Sequence, residues 1–186
     1  MVDAHCARSL TRLLPERTEF NGMHASLNLL TGLTLARIRY RGDDPEAWLA
    51  GKLHISAPKR CRETLTGPLS CAWLGPGEWL LSGPEPDVAR LAEAPDWRRD
   101  EDCLITDITH GSAAFRLTGA GAVRLLAPHC PLDFGERSMP VGFAARTLFA
   151  ETRMIICRRE NLRDQRQFQL IVDQTMRDYA IRMLVG

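Results

Sequence analysis

Asp107-Ile108-Thr109-His110-Gly111-Ser112 is the stretch of this chain whose residue types come nearest to chemistry. A carboxylate and an imidazole close together at a strand end can orient a substrate or take part in proton transfer. His110 and Ser112 are also the residue types of a hydrolase's base and nucleophile. No G-x-S-x-G elbow surrounds the serine, and such sets are recognised by geometry rather than by spacing. The same residues equally make a turn in which Asp107 and Thr109 satisfy backbone donors. Arg146 is the cation that could join Asp107 and His110 around a polar ligand, and these three form the candidate binding set.

Other stretches offer less. His129 and Cys130 are neighbours in "APHCPLD", but adjacent residues on a strand point to opposite faces. No spacing supplies the further ligands a zinc site needs, so no metal-ligating set is assigned. Thr118-Gly119-Ala120-Gly121-Ala122 lacks the lysine of a phosphate-binding loop and the third glycine of a dinucleotide fingerprint. No catalytic, cofactor-binding or metal-binding residue is therefore assigned to this chain. "RRENLRDQR", over 158–166, falls at the tip of a predicted hairpin. Arg158, Arg159, Arg163 and Arg166 are either a solvated tip or contacts for an acidic partner surface.

The bulk properties are those of an ordinary globular domain. The chain has 186 residues, 45% of them hydrophobic, and a formal net charge of +1. That balance gives no electrostatic case for nucleic acid or an anionic membrane. No apolar run is long enough to cross a bilayer. Arg8, Arg12 and Arg17 interrupt the first segment, unlike a secretory signal. The six cysteines form no C-x-x-C pair and read as buried free thiols of a reducing cytoplasm.

The candidate residues must be positioned by the elements around them. Leu33 to Tyr40 reads as a strand, and Asp44-Pro45 as the start of a helix closed by Gly51. Residues 56–67 are polar and read as a loop. In "CAWLGPGEWLLSGPEPDVARLAE", strands over 70–74 and 78–82 flank Gly75-Pro76-Gly77, and Pro86 starts a helix. Trp73 and Trp79 then face each other as sheet-supporting aromatics or as a ligand-stacking platform. Ala113, Phe115 and Leu117 alternate with polar or small residues, as a half-buried strand does, and a short helix follows. Phe168, Leu170 and Val172 share one strand face, and Thr175 caps a last helix. Repeated strand-strand-helix units predict an α+β fold, antiparallel sheets with helices packed on them. Residues 1–28 read as an N-terminal arm, and 29–186 as one domain of two pseudo-repeated halves.

Several ordered stretches carry a family resemblance: Trp73–Leu81, Asp107–His110, Ala114–Gly119, Cys130–Asp133 and Pro140–Thr147. Together they resemble the gamma subunit of heterotetrameric sarcosine oxidase, over roughly Leu30 to Leu184. Gly77 departs from that family's pattern, which has Asp in the turn, and Gln174-Thr175 replaces Arg-Ser. The resemblance implies a fold akin to the aminomethyltransferase folate-binding domain. It also implies a small, cofactor-free subunit beside alpha, beta and delta partners. FAD, FMN, NAD, zinc and tetrahydrofolate are then expected in those partners, in a complex that demethylates sarcosine to glycine. The alternative is a stand-alone folate or one-carbon binding module built on Asp107, His110 and Arg146.

Overall fold

The computed structural model describes residues 18–20, 23–93 and 102–185. Alternation around Gly75-Pro76-Gly77 folds as a hairpin of β5 (Leu69–Gly75) and β6 (Glu78–Pro84). The pair is antiparallel with Trp73 opposite Trp79, and a register shift between Trp73 and Gly75 marks a bulge at the turn. Gly77 has φ 63°, and a Cβ there would collide with the Tyr40 carbonyl oxygen. The Tyr40 amide donates to the Gly77 carbonyl at 2.8 Å, which ties this turn to the end of the next strand. Only a residue without a side chain satisfies both demands.

That strand is β3 (Leu33–Tyr40), which pairs with β6 on one side and with β7 (Cys103–Asp107) on the other. With β4 (Glu63–Thr66) at the far edge, the order is β4-β5-β6-β3-β7. β4 lies inside the segment expected to be a loop. Its sequence, Glu-Thr-Leu-Thr, is polar because it is an edge strand with little to bury. A second sheet runs β1-β2-β8-β11-β10-β9. Its strands are β1 (Thr18–Phe20), β2 (Met23–Leu29), β8 (Ser112–Thr118), β9 (Ala144–Phe149), β10 (Thr152–Leu162) and β11 (Gln165–Asp173). β2 falls within the expected arm, yet it buries Ala25 and Leu27 in the sheet beside β8. Residues 1–17 lie outside the described residues.

Helices cover the outer faces. α1 (Pro45–Leu53) is capped by Asp44, whose side chain accepts from the Ala47 amide at 3.0 Å. It runs past Gly51, because Leu53 is buried, and ends on left-handed His54. α1 and α2 (Glu85–Glu93) pack on the five-stranded sheet through Trp48, Leu49, Leu53 and Val88. α3 (Ala122–Leu126) and α4 (Arg177–Val185) pack on the six-stranded sheet through Ala122, Leu126, Ala180, Ile181 and Leu184. A 3-10 turn over Gln174–Met176 precedes α4, and its cap is Asp173, not Thr175. The Asp173 carboxylate accepts from the Thr175 amide at 2.9 Å. A third cluster, with Leu35, Leu74, Leu80, Ala144 and Ile171, fills the space between the sheets. The layers are therefore helix, sheet, sheet, helix.

The two sheets have equivalent connectivity. β3-α1-β4-β5-β6-α2 and β8-α3-β9-β10-β11-α4 follow one plan, with sheet orders β4-β5-β6-β3 and β9-β10-β11-β8. The fifth strand of each is exchanged. β2 precedes β3 but pairs with β8, and β7 precedes β8 but pairs with β3. Matching backbone bonds close the two crossings: Leu30 donates to Ala114 at 2.8 Å, and Ile108 to Leu35 at 2.9 Å.

Candidate functional site

The Asp107–Ser112 stretch is one of these crossings. The Asp107 carboxylate accepts from the Thr109 amide at 2.8 Å, an Asx turn. The Thr109 hydroxyl accepts from the Leu35 amide at 2.9 Å, fixing the crossing to β3. Hydrogen bonding by Thr109 holds Asp107 below the usual carboxylate value, and the nearby His110 charge acts in the same direction. A carboxylate so committed is a poor proton acceptor near neutrality. Ser112 pairs across the sheet with Asp173, and no hydrogen bond joins it to His110 among the described residues.

Arg146 lies elsewhere. It faces the other sheet from β9, where its guanidinium donates to the Leu74 carbonyl at 3.2 Å and to the Glu78 carboxylate at 2.8 Å. Glu78 pairs with Arg39 at the far end of β3, whereas Asp107 pairs with Ala36 nearer its start. Asp107 and His110 are thus neighbours at one crossing, and Arg146 clasps the tryptophan hairpin at the other end of the strand. Burial alone would raise the Glu78 carboxyl, but the hydrogen bond and charge of Arg146, with Arg39 beside it, outweigh burial and lower it. Arg37 and Arg39 approach the same carboxylate at 3.9 and 3.4 Å. The tryptophans themselves face the helices. Trp79 is buried and Trp73 partly buried in the core with Trp48 and Leu49, which is the sheet-supporting arrangement.

The arginine-rich segment is mostly strand, so its solvated tip is shorter than expected. Arg158 is 1% exposed, because β10 continues through it and turns it into the helix-side core. It donates to the Arg159 carbonyl at 2.6 Å and to the Asn161 side chain, and it sits 5.3 Å from the centre of the Phe168 ring. Arg159 points the opposite way, between the sheets, and pairs with Glu63 at 2.8 Å. Ser70 donates to Glu63 at 2.8 Å and Arg159 donates to Gln169 at 2.9 Å, completing a polar bridge across the sandwich. Burial raises the Glu63 carboxyl more strongly than Arg159 and Ser70 lower it. Arg166 bonds the Phe134 carbonyl at 2.7 Å and pairs with Glu136 at 2.6 Å. Arg163, with φ 51° beside Asp164 at 61°, forms the exposed turn itself.

The remaining motif residues are also engaged in the scaffold. Asp133 accepts from the Gly135 amide at 2.8 Å and from the Ser138 hydroxyl. Gly142 joins the sheets, donating to the Arg158 carbonyl and accepting from the Glu63 amide, both at 2.9 Å. The His129 ring packs edge-on against Phe149, and Cys130 is buried. Among the described residues no three His, Cys, Asp or Glu side chains gather closely enough to hold a metal ion, and no helix is long and apolar enough to cross a membrane. Sequence reasoning missed Arg37, Arg39, Glu63 and Glu78. A signal exists for two of them: in Leu-Ala-Arg-Ile-Arg, one face of β3 stays apolar while the other passes from leucine to two arginines.

The helix-sheet-sheet-helix sandwich is an aminomethyltransferase-like fold. The glycine cleavage system aminomethyltransferase T of Bartonella henselae has this fold, with a TM-score of 0.68 over 97% of this chain and 56% of that one, at 13% identity. Heterotetrameric sarcosine oxidase from Corynebacterium sp. U-96, in complex with pyrrole 2-carboxylate, contains a chain that matches with a TM-score of 0.77. That match covers 98% of this chain and 90% of that one, at 20% identity. This chain belongs to the sarcosine oxidase, gamma subunit family, whose model matches residues 41–185. It is 30% identical over 86 residues to the sarcosine oxidase subunit gamma of Corynebacterium sp. (strain P-1). That alignment covers 46% of this chain and 42% of the relative, so it spans under half the length of the curated protein it matches.

Proposed function

We propose that this chain is the gamma subunit of a heterotetrameric sarcosine oxidase, a scaffold subunit without reacting groups of its own. The observation that carries the proposal is the family match over residues 41–185. It is supported by the internal engagement of the motif polar groups Asp107, Asp133 and Arg146. In this reading alpha, beta and delta subunits carry FAD, FMN, NAD, zinc and the tetrahydrofolate site, and the assembly works in the cytoplasm. Sarcosine is oxidised to glycine there, with the one-carbon unit passed to tetrahydrofolate and the electrons to oxygen.

The test is co-expression with the large flavin and folate-domain subunits. A stoichiometric complex with sarcosine-dependent peroxide formation, lost or destabilised when this chain is omitted, is the expected result. A stable monodisperse monomer that joins no such subunits would overturn the proposal. The alternative, a stand-alone folate module, draws no support from residues that stand toward opposite ends of β3. Titration with a reduced folate should leave tryptophan fluorescence and melting temperature unchanged.

A further inference from the structure

The two sheet faces that meet in the inner core continue past it as exposed margins. Along β3, Leu35 lies in the inner core, and Arg37 and Arg39 follow on the same face. Thr106 and Leu104 of β7 are their cross-strand partners, so that face carries two arginines beside a leucine that is 55% exposed. On the opposite sheet Ala144 lies in the same core, and Arg146 and Leu148 follow on its face. Leu148 is 53% exposed and pairs with Arg153, one step beyond the Arg146–Ile155 pair. The Arg146–Glu78 clasp crosses from one margin to the other, so the two are contiguous.

The charges on these margins do not balance. Three guanidinium groups, of Arg37, Arg39 and Arg146, share the carboxylate of Glu78, and among the described residues no other ion pair serves them. Glu78 serves Arg146 at 2.8 Å and Arg39 at 3.4 Å, which leaves Arg37 at 3.9 Å, beyond hydrogen-bond reach. The Arg37 Nε is buried and makes no hydrogen bond among the described residues, its contact with Glu78 being an ion pair at 3.9 Å. Arg153 makes no ion pair among the described residues. Asp173, on the same face of β11, is already committed to capping Thr175. Such a surface lacks acceptors, and it also leaves large apolar side chains in water.

We propose that these margins dock an acidic segment of the partner polypeptide. Its carboxylates reach Arg37, Arg39 and Arg153, and its apolar side chains cover Leu104 and Leu148. A small anion would answer the charge but would leave both leucines exposed. A second copy of this chain would set like charges against each other. The inference rests on the reading of this chain as a subunit of an oxidase complex.

The test is binding of the Arg39→Glu/Arg153→Glu chain to the purified subcomplex of the other subunits. An Arg163→Glu chain, changed at the hairpin tip, is the control, and Arg39→Gln/Arg153→Gln holds the surface neutral. Unchanged melting temperatures establish that each variant is folded. The expected result is a loss of about tenfold or more for the double reversal, a smaller loss for the neutral pair, and none for Arg163→Glu. Wild-type affinity should also fall with salt more steeply than that of the double reversal. Wild-type affinity in the folded double reversal, with loss in Arg163→Glu, would overturn this inference alone. Failure of the wild-type chain to bind the subcomplex would overturn both this and the subunit reading. Dimerisation of the isolated chain, abolished by the double reversal, would assign the margin to self-association and also overturn it.

Discussion

At the residue scale, the polar groups that look functional are valuable for what they hold. Glu63 and Arg159 form an ion pair between the sheets, with side chains 4% and 17% exposed. Removing one partner leaves the other charge buried and uncompensated. Arg159→Met should therefore cost about 3 kcal/mol in urea unfolding, and Glu63→Gln/Arg159→Met should recover most of that loss. The pH dependence has a definite sign. Glu63 titrates above its ordinary value of 4.5 in the folded chain because burial dominates. Its neutral form contributes stability that is complete below 4.5 and is lost as pH rises through the folded-state value. The deficit of Arg159→Met should accordingly shrink toward acid. Gly77 gives a second prediction. Restoring the turn residue of the family pattern, Gly77→Asp, should destabilise this chain by about 2 kcal/mol, because a Cβ meets the Tyr40 carbonyl. Burial also pushes the Cys71 and Cys157 thiols up to about 12. Both should resist a thiol reagent at pH 8 until the chain unfolds, while half-buried Cys61 reacts.

At the scale of elements, legibility followed local pattern. β5, β6, β8 and β11 could be read because one face of each meets helices and is plainly apolar. β4 could not, because an edge strand of Glu-Thr-Leu-Thr buries little. β2 was hidden for another reason: its partner β8 lies in the other half of the sequence. The clasps were equally out of reach, since Arg159 and Ser70 meet across 89 residues of chain. Asp107 was visible as a turn former and as a chemical group alike, and the turn is formed by its bond to Thr109. The tryptophan hairpin is an element whose attachment can be tested. Glu78→Gln should release Arg146 and Arg39 together, costing about 1 kcal/mol at this partly exposed site, or roughly 2–4 °C in melting temperature. The Glu78 carboxyl lies below its ordinary value when folded. Its contribution is therefore present above that value and fades as pH falls through the folded-state one. A Glu78→Gln chain should lose that part of the acid sensitivity.

At the scale of the whole molecule, the architecture is four layers, helix, sheet, sheet and helix. The helices occupy both outer faces, and the inner faces bond each other through Arg146–Glu78 and Arg159–Glu63. What the sandwich leaves open is the basic margin of β3, β7, β9 and β10. The exchange of β2 and β7 has a consequence for how the chain can be divided. Each half holds a strand that belongs to the sheet of the other, so neither can complete its hydrogen bonding alone. Severing the polypeptide between α2 and β7 should yield two pieces that remain associated and part only in denaturant. Expressed separately, each piece should be poorly folded and should recover its circular dichroism on mixing. The molecule is in that sense a natural pair of complementing fragments, already bound to each other within a single translation product.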